Sequence, residues 1–130
     1  MQKSLESILY AEDEPDIREI ASMALESIGG FTLKVCNNGR EAVEAAAECQ
    51  PDLLLFDVMM PEMDGPMALA EIRKAPGMEN IPIIFMTAKI QPQEVADYKG
   101  LGALDVIAKP FDPMVLAGRI QKIWSSCHGG

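Results

Sequence analysis

The strongest constraint in this 130-residue chain is an alternation repeated five times: a short apolar run, then a stretch with apolar residues at helical spacing. Ser7 to Ala11 is the first run, and Asp16 to Ile28 then places Ile17, Ile20, Ala21, Ala24 and Ile28 on a helical period that Gly29-Gly30 stops. Phe31 to Cys36 alternates like a strand on a sheet edge. Asn38 is set to cap a second helix, with Glu41 as reciprocal partner and Ala42, Val43, Ala46 and Ala47 inward. After Pro51, Leu53 to Phe56 is continuously apolar, the mark of a strand covered on both faces, and it ends in Asp57. A turn over Met60 to Gly65 leads to a third helix over Pro66 to Lys74. Ile81 to Met86 is the next strand, ending in Thr87, with Pro82 near its start where a missing N–H is tolerated. Pro92 opens a fourth helix reaching Leu101, and Leu104 to Ala108 is a fifth strand ending in Lys109-Pro110. Asp112 caps a last helix, Pro113 to Ser125, with Leu116, Ile120, Ile123 and Trp124 on one side; the remaining residues read as a frayed tail.

Five such units with short connections imply an α/β fold of three layers, with a parallel sheet, right-handed crossovers and helices on both faces. The expectation is a single domain over residues 1–130, ordered from about residue 6 to residue 125, with no room for an output domain. Composition narrows the function. Against 20 acidic residues stand 11 Lys and Arg, a net charge of −9, which argues against direct nucleic-acid contact and against an anionic membrane surface. No apolar stretch approaches the roughly 20 residues of a spanning helix, and the polar start, Met1 to Glu6, carries no secretory signal. Cys36, Cys49 and Cys127 are scattered, without CxxC spacing, so neither a disulfide framework nor a zinc site is expected. A reducing, cytoplasmic location fits these thiols best.

The chemistry collects at one edge. In a parallel sheet the C-terminal strand ends share a rim, where open α/β sheets place ligands. That rim receives Glu12 and Asp13 after the first strand, Asp57 after the third, Thr87 after the fourth and Lys109 after the fifth. Taken singly, each has a plainer explanation: a helix cap, a turn hydroxyl, a surface charge. As a set they do not. Two carboxylates about 5 Å apart repel by roughly 3 kcal/mol at an effective dielectric near 20. Three such pairs approach the whole stability of a domain, about 5 to 15 kcal/mol. Relief must come from protonation, from Lys109 or from a hard cation such as Mg²⁺, which is held by one or two carboxylates, waters and a phosphate oxygen. Such a group suits phosphoryl transfer to a carboxylate. Asp57, last on the central apolar strand, is the best-placed nucleophile, and Glu12 and Asp13 are candidate cation ligands. The one histidine, His128, lies in the tail, and no glycine-rich phosphate loop is present, so ATP is a poor donor. A phosphoryl group from another protein fits better.

These residues resemble a response-regulator receiver domain, the phospho-accepting half of two-component signalling. The resemblance covers the whole chain and rests on Glu12-Asp13, on LLLFDVMMPEMDG from Leu53 to Gly65, on MTA from Met86 to Ala88 and on AKPF from Ala108 to Phe111. It implies a flavodoxin-like (βα)5 fold with strand order 2-1-3-4-5. It implies phosphorylation of Asp57 from the phosphohistidine of a sensor histidine kinase or a histidine phosphotransfer protein, with Mg²⁺ held by Asp13, Asp57 and the backbone carbonyl of Met59, and by Glu12 through water. Thr87 and Lys109 would hold phosphoryl oxygens, small Ala88 would leave access for the incoming group, and Lys109-Pro110 would be cis. Such a chain catalyses only its own phosphorylation and dephosphorylation, and acts by changing its affinity for a downstream partner protein: a flagellar motor component, a kinase or a phosphorelay protein.

Two departures from the family matter. Val106 stands where an aromatic ring is common three residues before Lys109 and has no ring to swing, so the fourth helix with its preceding loop becomes the expected reader. Met59 and Lys89 flank the path of water to the phosphoryl group; apolar Met59 cannot orient water, so a long-lived phosphoryl group is expected. Asp105 and Arg119 occupy positions that pair across dimers in related transcription factors, leaving a weak homodimer open, although two solvated charges are the simpler reading. The competing class is a phosphorylation-independent interaction scaffold on the same fold. An aspartate-nucleophile phosphatase would want a second Asp at Met59, and a flavin domain would want a hydroxyl-rich loop where Glu12-Asp13-Glu14 stands.

Overall fold

A computed structural model describes residues 4–128; the first three residues of the polar N-terminus and the last two of the tail lie outside them. Strands β1 (Ser7–Ala11), β2 (Thr32–Cys36), β3 (Leu53–Asp57), β4 (Ile83–Thr87) and β5 (Asp105–Ala108) form one parallel sheet in the order β2-β1-β3-β4-β5. Helices α1 (Pro15–Met23), α2 (Gly39–Cys49), α3 (Gly65–Ile72), α4 (Pro92–Gly100) and α5 (Pro113–His128) alternate with the strands. Every residue of β3 and β4 is buried, as their unbroken apolar runs demand, while β2 alternates at the edge.

Period-two alternation sends each strand's side chains into two cores. Leu9, Leu54, Phe56, Ile83 and Phe85 pack under α2 and α3, and Ile8, Tyr10, Leu53, Leu55, Ile84, Met86 and Ile107 pack under α1 and α5. Leu116, Ile120, Ile123 and Trp124 are the buried stripe of α5, as their spacing predicts. Among the described residues, no helix is long and apolar enough to cross a membrane.

Helix starts follow local chemistry. Asn38 Oδ1 accepts the Glu41 N–H at 2.8 Å, and Glu41 Oε1 accepts the N–H of Asn37, one residue beyond the cap that the reciprocal box would use. Asp64 caps α3 through the Met67 N–H at 2.8 Å, and the N–H of Met114, at the start of α5, donates to Asp112 Oδ1 at 2.9 Å.

Three expectations are corrected. The stretch after Met23 widens into a π turn over Ala24–Ile28, with the Gly29 N–H bonded to the Ala24 carbonyl five residues back. The wider turn rotates the helix end, so Leu25 is buried and Ile28 exposed. Ile20, upstream of the turn, is also exposed. Gly29 makes this possible: a Cβ there would stand 2.8 Å from Ala117 Cβ on α5. In α2 it is Ala45, not Ala47, that joins Ala42 and Ala46 inside. The last helix does not fray at Ser125 but continues to His128.

Candidate functional site

The rim assembles as the strand order requires. β1 and β3 are neighbours, so Glu12, just past β1, meets Asp57 at the end of β3; β4 delivers Thr87 on the other side, and the chain leaving β5 brings Lys109 across. One carboxylate oxygen each from Glu12, Asp13 and Asp57 lie within 4.8 Å of one another. Glu12 is fully buried, Asp57 and Thr87 nearly so, and Asp13 half-buried.

Lys109 bridges the acids. Its Nζ lies 3.1 Å from Asp57 Oδ2 and 3.1 Å from Glu12 Oε1. Burial alone would pull the ammonium's pKa down, but Asp57 and the hydrogen-bonded Glu12 outweigh it and the pKa rises. One ammonium cannot neutralise three carboxylates. The surplus falls on Glu12, whose carboxyl is pushed up from 4.5 to about 7, first by burial and then by the charge and hydrogen bond of Asp57. Protonation and Lys109 are thus two of the three forms of relief that crowding demands. The third is a cation, and an all-oxygen donor set open on one side fits a hard divalent ion.

The surrounding backbone fixes this geometry. Arg18 donates to the Glu12 carbonyl at 2.9 Å, holding the acidic turn against α1, and the Glu12 N–H reaches the Cys36 carbonyl at 3.2 Å. Below Asp57, Gly65 lets α3 approach the strand: a Cβ there would lie 2.6 Å from the Asp57 carbonyl oxygen. Its N–H donates to the Val58 carbonyl at 2.9 Å. Nothing in the sequence marks Arg18 for this role, because a contact to a backbone carbonyl imposes no partner residue.

Thr87 Oγ accepts the Lys89 N–H at 3.1 Å, so the turn-hydroxyl reading is realised while the hydroxyl proton stays available for another acceptor. The Lys109-Pro110 bond is cis. The Met59 side chain is exposed, two residues after Asp57, and Val106 is buried. Asp105 and Arg119 stay at the surface, each with a partner in this chain. Asp105 pairs with Lys99 at 3.7 Å and accepts the Val106 N–H, and Arg119 donates to the Val106 carbonyl at 3.3 Å. Burial, with the charge of Glu41 adding to it, raises the Cys36 thiol to about 11, so it serves as a core filler. Beside Lys109 lies a groove of about 360 Å³ lined by Ile17, Ile20, Ala88, Pro110, Phe111 and Pro113, which the strand-end pattern does not reveal. Ile17 and exposed Ile20 are the residues that α1 gives to this groove.

Comparison with known proteins agrees with this geometry. Residues 8–121 match the family model described as the response regulator receiver domain. Regulatory protein AtoC of Escherichia coli is 38% identical over 109 residues, covering 84% of this chain and 23% of AtoC. The chain spans about a quarter to about half of the length of the curated relatives it matches. Among solved structures, the chemotaxis protein CheY4 of Vibrio cholerae superposes with a TM-score of 0.83 at 28% identity, covering 92% of this chain and 99% of that one. The CheX–CheY–BeF3–Mg²⁺ complex of Borrelia burgdorferi matches with a TM-score of 0.79 at 25% identity, covering 94% of this chain and 88% of that one.

Proposed function

Because this chain belongs to the response-regulator receiver family, we propose that Asp57 accepts a phosphoryl group from a phosphohistidine and that the modified domain changes its affinity for a partner protein. The observation that carries the reading is the juxtaposition of Glu12, Asp13 and Asp57 with Lys109 on one rim, a surplus of carboxylates that a divalent cation would balance and, together with Lys109, turn into a site for a phosphoryl anion.

In this reading an Asp57 carboxylate oxygen attacks phosphorus. A P–O bond forms, the P–N bond of the donor breaks, and its electron pair returns to the imidazole nitrogen. Lys109 holds one phosphoryl oxygen as it neutralises the product, and the Thr87 hydroxyl donates its proton to another. Asp13, Asp57 and the Met59 carbonyl would hold Mg²⁺, with Glu12 acting through water; the ion supplies positive charge against the phosphoryl oxygens. The donor is a sensor histidine kinase or a histidine phosphotransfer protein. The apolar groove beside Lys109 supports a protein donor, since it offers Ile17, Ile20 and Phe111 for docking within reach of the site. The domain is a signalling phospho-acceptor whose only catalysis is on itself.

Intact mass after incubation with acetyl phosphate and Mg²⁺ tests the reading. The parent should gain one phosphoryl group and Asp57→Asn none. No gain by the parent, where a control receiver is modified, would leave the phosphorylation-independent scaffold.

A further inference from the structure

The two helices beside β5 are held very differently. α5 buries Leu116, Ile120 and Trp124, whereas α4 buries nothing fully and covers only Glu94, Val95 and Tyr98 in part. Its sequence, PQEVADYKG, has no apolar stripe to bind it to the sheet. What α4 has is one ring. Tyr98 packs on Phe85 with centroids 5.3 Å apart and planes tilted by 50°.

Phe85 is tied to the phosphoryl site. It precedes Thr87 by two residues on β4, so both side chains leave the same face of the sheet. Its ring lies 3.2 Å from where a Cβ would stand on Gly65, the residue pressed against the Asp57 carbonyl. Its register partner on β5 is Val106, which brings no ring to that face, so the ring meeting Phe85 there comes from α4. Asp64, the cap of α3, is one of the carboxylates whose charge reaches the Tyr98 phenol, alongside Glu94 and Asp97. The other tie is at the start of α4. The Lys89 N–H bonded to Thr87 Oγ belongs to the segment 88–91, which is exposed throughout and runs into Pro92.

We propose that Tyr98 is the positioning residue through which the state of Asp57 reaches the α4 surface. A phosphoryl group that draws the Thr87 hydroxyl inward takes it from the Lys89 N–H, and α4 then re-seats about the Tyr98–Phe85 contact. This rests on the reading of Asp57 as phospho-acceptor.

Hydrogen exchange over residues 88–101, with and without beryllofluoride and Mg²⁺, tests it in the parent, Tyr98→Phe and Tyr98→Ala, alongside the rate of Asp57 phosphorylation by acetyl phosphate. The parent and Tyr98→Phe should change exchange in this segment on loading. Tyr98→Ala should exchange about three- to tenfold faster before loading, the factor for losing one ring pair, and respond no further. Its phosphorylation rate should stay close to the parent's. An undiminished response in Tyr98→Ala, or loss of response in Tyr98→Phe, overturns the proposal. Phosphorylation of the parent without a response in 88–101 overturns it alone; no phosphorylation of the parent overturns the reading of Asp57 and this proposal with it.

Discussion

Two aspartates stand at opposite ends of β3, five residues apart, and the fold treats them oppositely. Asp52, just before the strand, accepts the N–H groups of Glu6 and Ser7, each at 3.0 Å, while its own N–H reaches Ser7 Oγ at 2.9 Å. Fixed backbone dipoles satisfy that carboxylate, and it staples β3 to β1. Asp57 instead faces Glu12 and Asp13, with Lys109 as its counter-charge. A charge answered by the chain's own backbone is architecture. In the proposed reading, a charge set among its own kind is held ready for something from outside.

Substitutions can break this contrast or sharpen it. The largest effect is expected from Asp57→Asn, which should abolish uptake of the phosphoryl group by intact mass and also raise the midpoint of urea unfolding, since a repulsive buried charge is removed. A lowered midpoint would mean that Asp57 is structural in the way Asp52 is.

Next comes pH. Folded Glu12 keeps its proton to about 7, whereas unfolded it lets go near 4.5. Between those values the folded chain binds more protons, so this contribution to stability is full below about pH 4.5 and is lost as pH rises through 7. The loss is on the order of 3 kcal/mol, read from urea unfolding without Mg²⁺, and Glu12→Gln should flatten it. An equal slope in the variant would remove Glu12 from the explanation.

Asp52→Ala should cost about 1–2 kcal/mol by the same unfolding measurement, by removing two charge-assisted N–H bonds, one of them part-buried. It should leave Asp57 phosphorylation within about twofold, since the sheet ends are far apart. A loss of phosphorylation would show the two rims to be coupled. The smallest expected effect is on lifetime. Met59→Asn, a side chain able to orient water, should shorten the phosphoryl half-life by about three- to tenfold in a mass time course. An unchanged half-life would mean that water is excluded by something other than Met59.

The rim was legible in the sequence for a physical reason. Buried parallel strands are unbroken apolar runs, so the first polar residue after each run sits at the sheet edge, and Glu12, Asp57, Thr87 and Lys109 do. Helix faces were less legible. The π turn after Met23 answers to the fit of Gly29 against Ala117, a contact made between elements far apart in sequence. Ala45 and Ala47 are the same residue type, so only packing decides which is inside. The partners of surface Asp105 and Arg119, Lys99 and the Val106 carbonyl, were not legible because they depend on how α4 and α5 flank β5.

The site draws its groups from four strands, and Lys109 comes from the last of them. No fragment that stops short of β5 can therefore assemble it. During synthesis the ammonium that answers the acidic groups is the last of the five to emerge, so the rim is assembled only with completion of the sheet.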